Sequence, residues 1–306
     1  MKVDILVLNY NGESLLRQFL PSIQRAAQSS QHECSVCVVD NCSTDDSVPM
    51  LRTLFSGVSV YVAEKNEVLC SYNHVIEHLK SDIVILLNND IKVKEDFVDN
   101  LVACFKQDDS IFFAAPQILN FDNTFNGGKS YLCCSWGIMQ NRVADSAGKG
   151  PGITHSIATG AFRREDFLLL NGFDTLFLPG IWEEVDLCYR AMLRGKRGVF
   201  EPKSIIWHQE STTFNKVYGA RRKTIIAHRN MFLFFWKNIR DPVMLGCHFL
   251  FLPLRLLISL GKDKGALLEG FFQALPLLPC ALARRRAEAR FPIKRILKDK
   301  DIVQCR

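Results

Sequence analysis

"SVCVVDNCSTDDSVPMLRTLF", residues 35–55, holds one complete strand-to-helix unit. Residues 35–40 form a short, continuous apolar run rich in Val, the pattern of a strand buried on both faces. The run ends on Asp40, and Asn41, Ser43, Thr44, Asp45 and Asp46 follow. Such residues turn a chain and cap the helix predicted over 44–55. The same unit recurs on either side. "VDILVL" (3–8), "VSVYVA" (58–63) and "DIVILLN" (82–88) predict three more strands. Between and after them, "ESLLRQFLPSIQRAAQ" (13–28), "SYNHVIEHLK" (71–80) and "EDFVDNLVACFKQ" (95–107) predict helices. The first carries Leu16, Phe19, Leu20, Ile23 and Ala27 on one stripe, with Pro21 as an expected kink. Repeated units of this length make right-handed crossovers, so the fold class is α/β, a mostly parallel sheet flanked by helices.

A sheet of this kind collects ligands outside the carboxyl ends of its strands. Those ends read "NYNG" (9–12), "DNCSTDD" (40–46), "EKN" (64–66) and "NND" (88–90). One Asn or Asp after a strand is ordinarily a turn or cap residue. Four strands that each deliver such residues to one rim point instead to a binding site. Asp40, an acceptor only, suits a base or ribose. Asp90 is a hard oxygen ligand suited to Mg²⁺ or Mn²⁺ held against a diphosphate.

At this point the chain resembles a known family. "ILVLNYNGESLL", "VVDNCSTDDS" and "DIVILLNND" are similar to the N-terminal motifs of family 2 glycosyltransferases, inverting enzymes of the Rossmann-like GT-A fold that use nucleotide diphosphate sugars. The later segment "TGAFRREDFLLLNGFDTLFLPGIWEEVDLCYRAMLRGKRGVFEPKSIIWH" resembles their second signature, an aromatic-rich stretch before an acidic pair and a "DLC-R" helix. The pattern is most similar to the rhamnosyltransferase-like branch of bacterial surface polysaccharide synthesis. The resemblance, over residues 3–240, implies a donor site built from Asn9, Asn11, Asp40, Asn41, Ser43, Asn66, Asn73 and Asn89, with Asp40 on the base. It implies a divalent metal, Mn²⁺ or Mg²⁺, on Asp90 of the DxD-like motif, with His208 approaching the metal or diphosphate. It implies Glu184 as catalytic base beside Glu183, with Asp186 the second candidate. Three positions depart from the family pattern: Asn88 replaces an acid, Glu184 replaces the commoner Asp, and Glu67-Val68 replaces a Gly-Phe pair. Acids in the first turn of a helix also satisfy its dipole, a purely structural role.

The rest of the chain reads less clearly. Residues 111–160 are rich in Gly, Asn and Ser and predict irregular structure with short strands. "REDFLLLNGFD" (164–174) predicts a helix stopping at Gly172, and "EEVDLCYRAMLRG" (183–195) one ending at Gly195. "RGVFEP" (197–202) and "SIIWH" (204–208) are strand-like, and a long helix is expected from near Tyr218.

Composition sets outer bounds. Of 306 residues, 48% are hydrophobic and 23% charged, which excludes a mainly disordered chain. The net charge of +6 is uneven, for residues 281–300 carry eight Lys and Arg against two Asp and Glu. Nucleic-acid binding needs a basic face across the fold, and only this tail is basic. Eleven scattered cysteines and the lack of a secretory signal lead us to expect reduced thiols in the cytoplasm.

Two regions are expected: a catalytic domain over 1–240 and an apolar, basic helical extension over 241–306. "PVMLGCHFLFLPLRLLISLG" (242–261) includes Arg255, which disfavours spanning a bilayer. With Arg284, Arg285, Arg286 and Arg290 following, the extension reads as an interfacial anchor on an anionic leaflet, at the cytoplasmic face of the inner membrane. Packing on the catalytic domain and a re-entrant hairpin are the alternatives. The reaction expected is transfer of a sugar from dTDP-rhamnose or a UDP-sugar to a hydroxyl of a glycan or lipid-linked acceptor. An inactive nucleotide-sugar-binding scaffold is the rival. A sugar nucleotidyltransferase fits worse, because "NYNGES" lacks the glycines and basic residue that grip a triphosphate.

Overall fold

The computed structural model describes residues 1–148, 150–209 and 218–305. Four parallel strands form one half of the main sheet: β1 (Lys2–Asn9), β2 (Glu33–Asp40), β3 (Ser59–Val62) and β4 (Ile83–Asn88), in the order β4-β1-β2-β3. The crossovers contain α1 (Glu13–Ser29), α2 (Ser47–Leu54) and α3 (Ser71–Ile76). Pro21 lies within α1, which stays one helix, and α3 stops four residues before the predicted end. Alternation divides the core as a two-faced sheet requires. Ile5 and Val7 pack with Leu16, Leu20 and Leu101 on one side, while Leu6 packs with Tyr72, Phe162 and Leu187 on the other.

The other half of the sheet comes from the stretch where the sequence signal is weak. After β5 (Ile91–Val93) and α4 (Phe97–Gln107) come β6 (Ile111–Leu119), β7 (Phe125–Gly127), β8 (Ser130–Ser135), β9 (Ile138–Val143), β10 (Gly152–Ile153) and β11 (Gly160–Arg163). Instead of irregular chain, β6 is a long, buried central strand. β11 runs antiparallel between β4 and β6 and joins the two halves. Next come α5 (Arg164–Leu169), α6 (Glu183–Met192) and β12 (Arg197–His208). β12 is one strand where two were expected. It pairs parallel with β6 and is interrupted by a bulge between Glu201 and Ile205, which accommodates Pro202. The path through the sheet is β10-β12-β6-β11-β4-β1-β2-β3, with β5 on β12 and β7 on β6.

The chain continues as α7 (Ala220–Asn238), α8 (Pro242–Lys262), α9 (Ala266–Ala274), α10 (Leu278–Ala289), α11 (Asp299–Ile302) and β13 (Gln304–Cys305). β13 joins β8 and β9 in a small second sheet. Residues 241–305 do not form a core of their own. Leu267, Ala281, Ile302 and Val303 share one apolar cluster with Leu132, Tyr189 and Phe232. Asp299 accepts hydrogen bonds from Tyr189 Oη (2.6 Å) and the Arg240 and Asp241 amides (2.6 and 2.7 Å), fastening the tail to α6 and α7. The ten cysteines with described side chains are free. Cys34 and Cys37 have C-x-x-C spacing, but alternation on β2 turns them to opposite faces.

Candidate active site

Parallel register sets Asn9 of β1 beside Asp40 of β2, and the two side chains bond. Asp40 is fully buried and accepts from Asn9 Nδ2 (2.8 Å), Ser43 N (2.8 Å) and Ser43 Oγ (2.7 Å). Asn9 Oδ1 in turn accepts from Asn89 Nδ2 (2.7 Å). Ser43 Oγ also receives the Asn11 amide (2.8 Å), and Asn11 Oδ1 receives the Thr44 amide (2.7 Å). The rim is therefore a connected amide–carboxylate lattice. Gly12 is required beside it, because a Cβ there would collide with Asn89 Nδ2 and Asn9 Oδ1.

A cavity of about 600 Å³ opens over this lattice. Asn9, Asn41, Asn66, Asn88, Asn89 and Asp90 line one wall; Glu183 and Glu184 stand in another. Asn66 Oδ1 accepts the Val68 amide (3.0 Å) and Asn41 Nδ2 donates to Val68 O (3.2 Å), shaping the loop after β3 where Glu67 and Val68 depart from the family pattern. Four residues expected at the donor are not on its walls. Asp40 lies below the floor, with its carboxylate engaged by Asn9 and Ser43, so it orients Asn9 where direct contact with a base was expected. Ser43 and Asn11 brace the same floor. Asn73 is a clamp: its Oδ1 accepts from Phe173 N (3.0 Å) and its Nδ2 donates to Phe173 O (2.8 Å).

The acids of α6 divide by helical geometry. Ile181 and Trp182 enter the helix with positive φ (71° and 84°), and the turn puts Glu183 and Glu184 at the cavity. Burial pushes Glu183 well above the usual carboxylate range, and the Glu184 charge adds to the shift. One Glu183 oxygen, Oε2, is buried with no hydrogen-bond partner among the described residues. Burial also raises Glu184, opposed in part by backbone N–H groups of the helix start. Asp186 is corrected as a base candidate. It is fully buried away from the cavity and bonds Arg190 Nε (2.8 Å), Lys237 Nζ (2.8 Å) and Asn238 Nδ2 (2.7 Å). Burial alone would raise its pKa; the Lys237 and Arg190 charges and the bonds from Lys237 and Asn238 overcome that and bring it to about 2. An acid held ionised this firmly is a poor proton acceptor.

Asp90 is buried in the β4–β5 turn, and among the described residues neither carboxylate oxygen has a hydrogen-bond partner. Pairing of β5 with β12 sets Ile91 against His208, which brings His208 Nε2 to 3.2 Å from Asp90 Oδ1 without hydrogen-bond geometry. A buried carboxylate and an imidazole this close, neither with a hydrogen bond among the described residues, suit a divalent cation, which Mn²⁺ with its tolerance of nitrogen ligands would fit. Among the described residues no group of three or more His, Cys, Asp or Glu forms a complete cage.

Several wall residues gave no sequence signal. Tyr10, Pro179, Gly180, Ile181, Tyr218 and Lys223 also line the cavity. The 177–181 segment is held from α7. Asn230 Nδ2 donates to Phe177 O (2.5 Å), Gly180 O (2.8 Å) and Ile181 O (2.8 Å), and Arg229 donates to Leu178 O. Lys237 ties Asp174 (2.7 Å) to Asp186. The available hint was Asn230 directly before the apolar run "MFLFFW" (231–236), where a buried amide needs partners.

With this geometry in view, comparison with known proteins is informative. The chain is similar to the solved structure of GalNAc-T7 with UDP, GalNAc and Mn²⁺ (TM-score 0.63, 16% identity), covering 96% of this chain and 58% of that one. It is also similar to S. aureus TarS 1–349 in complex with UDP-GlcNAc (TM-score 0.60, 14% identity; 95% and 90% covered). A third likeness is to the mannosyltransferase PcManGT from Pyrobaculum calidifontis in complex with GDP-Man and Mn²⁺ (TM-score 0.51, 16% identity; 93% and 75% covered). At these identities the likeness establishes the GT-A fold. No curated protein sequence matches the chain. The profile described as "Glycosyl transferase family 2" matches residues 4–169, more than half the chain. The protein belongs to glycosyl transferase family 2.

Proposed function

We propose that the protein transfers a sugar from a nucleotide diphosphate sugar to an acceptor hydroxyl, with inversion at the anomeric carbon. The observation that carries this reading is one cavity, about 600 Å³ in volume, with Asp90 and Glu184 on its walls. That volume is in the range of small-molecule sites. Asn9, Asn41 and Asn66 offer amides for the nucleotide; the floor lattice fixes Asn9, and the Val68 backbone fixes Asn41 and Asn66. Glu184 takes the proton of the attacking hydroxyl, and its burial keeps that carboxylate's proton affinity high. Asp90 and His208 would hold a divalent cation, which when bound would supply a Lewis acid for the charge of the leaving diphosphate. Lys223 lies across the same cavity and contributes positive charge toward the diphosphate.

The neighbours' ligands, UDP with GalNAc, UDP-GlcNAc and GDP-Man, support a nucleotide-sugar donor here. The resemblance in sequence favours dTDP-rhamnose or a UDP-sugar, and a glycan or lipid-linked acceptor in bacterial surface polysaccharide synthesis. Ten free thiols support a cytoplasmic location.

The test is release of nucleotide diphosphate from a panel of donors, with and without Mn²⁺. Metal-dependent release by the wild type, lost in Asp90→Ala and Glu184→Gln, is the expected result. No release with any donor, although a nucleotide sugar still binds, would favour an inactive scaffold. Pyrophosphate release from a nucleoside triphosphate and a sugar phosphate would favour a nucleotidyltransferase.

A further inference from the structure

Helix α8 is apolar on both of its sides, and the fold covers only one. Met244, His248 and Ser259 are buried, with Leu252 and Leu256 packed beside them, a stripe facing the body. The opposite side exposes Val243 (70%), Leu250 (72%) and Leu257 (66%) at helical spacing, flanked by Phe249, Leu254 and Leu260. The only charged side chain over 242–261 is Arg255, and it is turned back onto Ser135 O (3.0 Å) and the Trp136 ring (5.7 Å). Trp136, itself half exposed, stacks near Phe251 and extends this face; Phe272 of the adjoining α9 is exposed as well. A continuous apolar surface of this kind marks a place of contact with something outside the chain.

Charge decides what that contact is. Residues 241–290 hold four acids, and each is bonded within the fold. Asp241 caps α8 through the Val243 and Met244 amides, Asp263 meets His228 (3.2 Å), Glu269 meets Arg221 (2.8 Å) and Glu288 meets Arg194 (2.7 Å). Lys262, Lys264, Arg286 and Arg290 are exposed and meet no acid among the described residues. A second copy docking the same face on itself would oppose like charges. An apolar strip bordered by free cations fits an anionic bilayer surface.

Polar fasteners decide how α8 meets it. His248 Nδ1 lies 2.7 Å from Gly137 O, its Nε2 accepts from Trp236 Nε1 (3.2 Å), and its ring stacks on Phe235 (4.3 Å). Gly137 has φ +73°, and a Cβ there would strike the His248 backbone. A helix pinned at its middle and along its inner stripe lies flat against the body. Its length and composition would also allow crossing a membrane, but crossing would tear out these contacts. We infer that the protein docks monotopically on an anionic lipid bilayer through the outer face of α8, Trp136 and Phe272, with α8 parallel to the surface.

Flotation of the full chain with vesicles tests this. The chain is expected to float with phosphatidylcholine vesicles doped with phosphatidylglycerol, and about tenfold more weakly with phosphatidylcholine alone. The double variant Leu250→Glu with Leu257→Glu, altered only at exposed positions, should keep its melting temperature and lose vesicle binding. Brominated lipids give the depth: quenching that disappears in Trp136→Phe should be stronger with bromines near the headgroups than near the bilayer centre. Absence of vesicle binding, binding unchanged in the double variant, or stronger quenching from the centre would each overturn the inference. So would a concentration-dependent dimer dissolved by the same two substitutions, which would assign the face to a second copy.

Discussion

Glu184 and Asp186 sit within one helical turn and titrate in opposite directions, and that contrast separates catalysis from scaffolding. A base must be ionised to act, so the rate should rise with pH through a Glu184 value above the ordinary carboxylate range. Burial is what raises it, and the backbone N–H groups at the helix start oppose the shift. Glu184→Gln should lower kcat by about 10²–10⁴-fold with little change in donor affinity, measured by steady-state kinetics and donor titration. Asp186 has the opposite linkage. Its pKa is lower folded than unfolded, so the stability it contributes is full above the unfolded value and disappears as pH falls toward about 2. Asp186→Asn leaves Lys237 and Arg190 buried against a neutral group and should cost about 3–5 kcal/mol in denaturant unfolding near neutral pH. At this scale the sequence shows which residues follow a strand or open a helix, but not where their side-chain atoms bond. The places of Asp90 and Glu184 on the cavity wall are legible for that reason, whereas Asp40, Asn73 and Asp186 read as ligand-facing and bond within the fold.

Helix α7 acts on the cavity twice, through Lys223 on its wall and through Asn230, which makes no contact with the cavity itself. Asn230 gathers three carbonyls of the segment that leads into Glu183 and Glu184. Asn230→Ala leaves those carbonyls unpaired in a buried site and should cost about 1–3 kcal/mol for each acceptor that finds no replacement. Kinetics should separate position from chemistry: kcat falls while the pH profile keeps the Glu184 limb, because the base itself is intact. Elements were legible where local pattern and tertiary role agree, as in β1 to β4. β6 was not legible, because "IFFAAPQIL" carries Pro116 and reads as a broken strand. The fold tolerates Pro116 because β11 pairs only as far as Ala114 and the β12 partner bulges after Glu201, leaving little ladder there to lose. No window of the sequence contains that coincidence of three strands. The same limit applies to β12, where a proline at a bulge reads as a break between two strands.

On the scale of the whole molecule, the topology turns distant segments into one cleft. β1, β2 and β4 bring their carboxyl ends to a shared rim, β12 returns His208 to Asp90, and α6 closes the far wall. The N-terminal half of this arrangement was readable as alternation; the closing half depends on β6, β11 and α7, whose roles arise only in three dimensions. A ligand that binds the native cleft should stabilise the protein, by about 2.7 kcal/mol at a hundredfold excess over its Kd, so a melting screen of nucleotide sugars with Mn²⁺ selects the donor. The decisive measurement is then a crystal of the protein grown with that nucleotide diphosphate and Mn²⁺, with the metal located by its anomalous signal. The expected result is one Mn²⁺ bound by Asp90, with the diphosphate over it and Glu184 facing the sugar position across the cavity. A metal peak remote from Asp90, or a nucleotide bound outside this cleft, would contradict it.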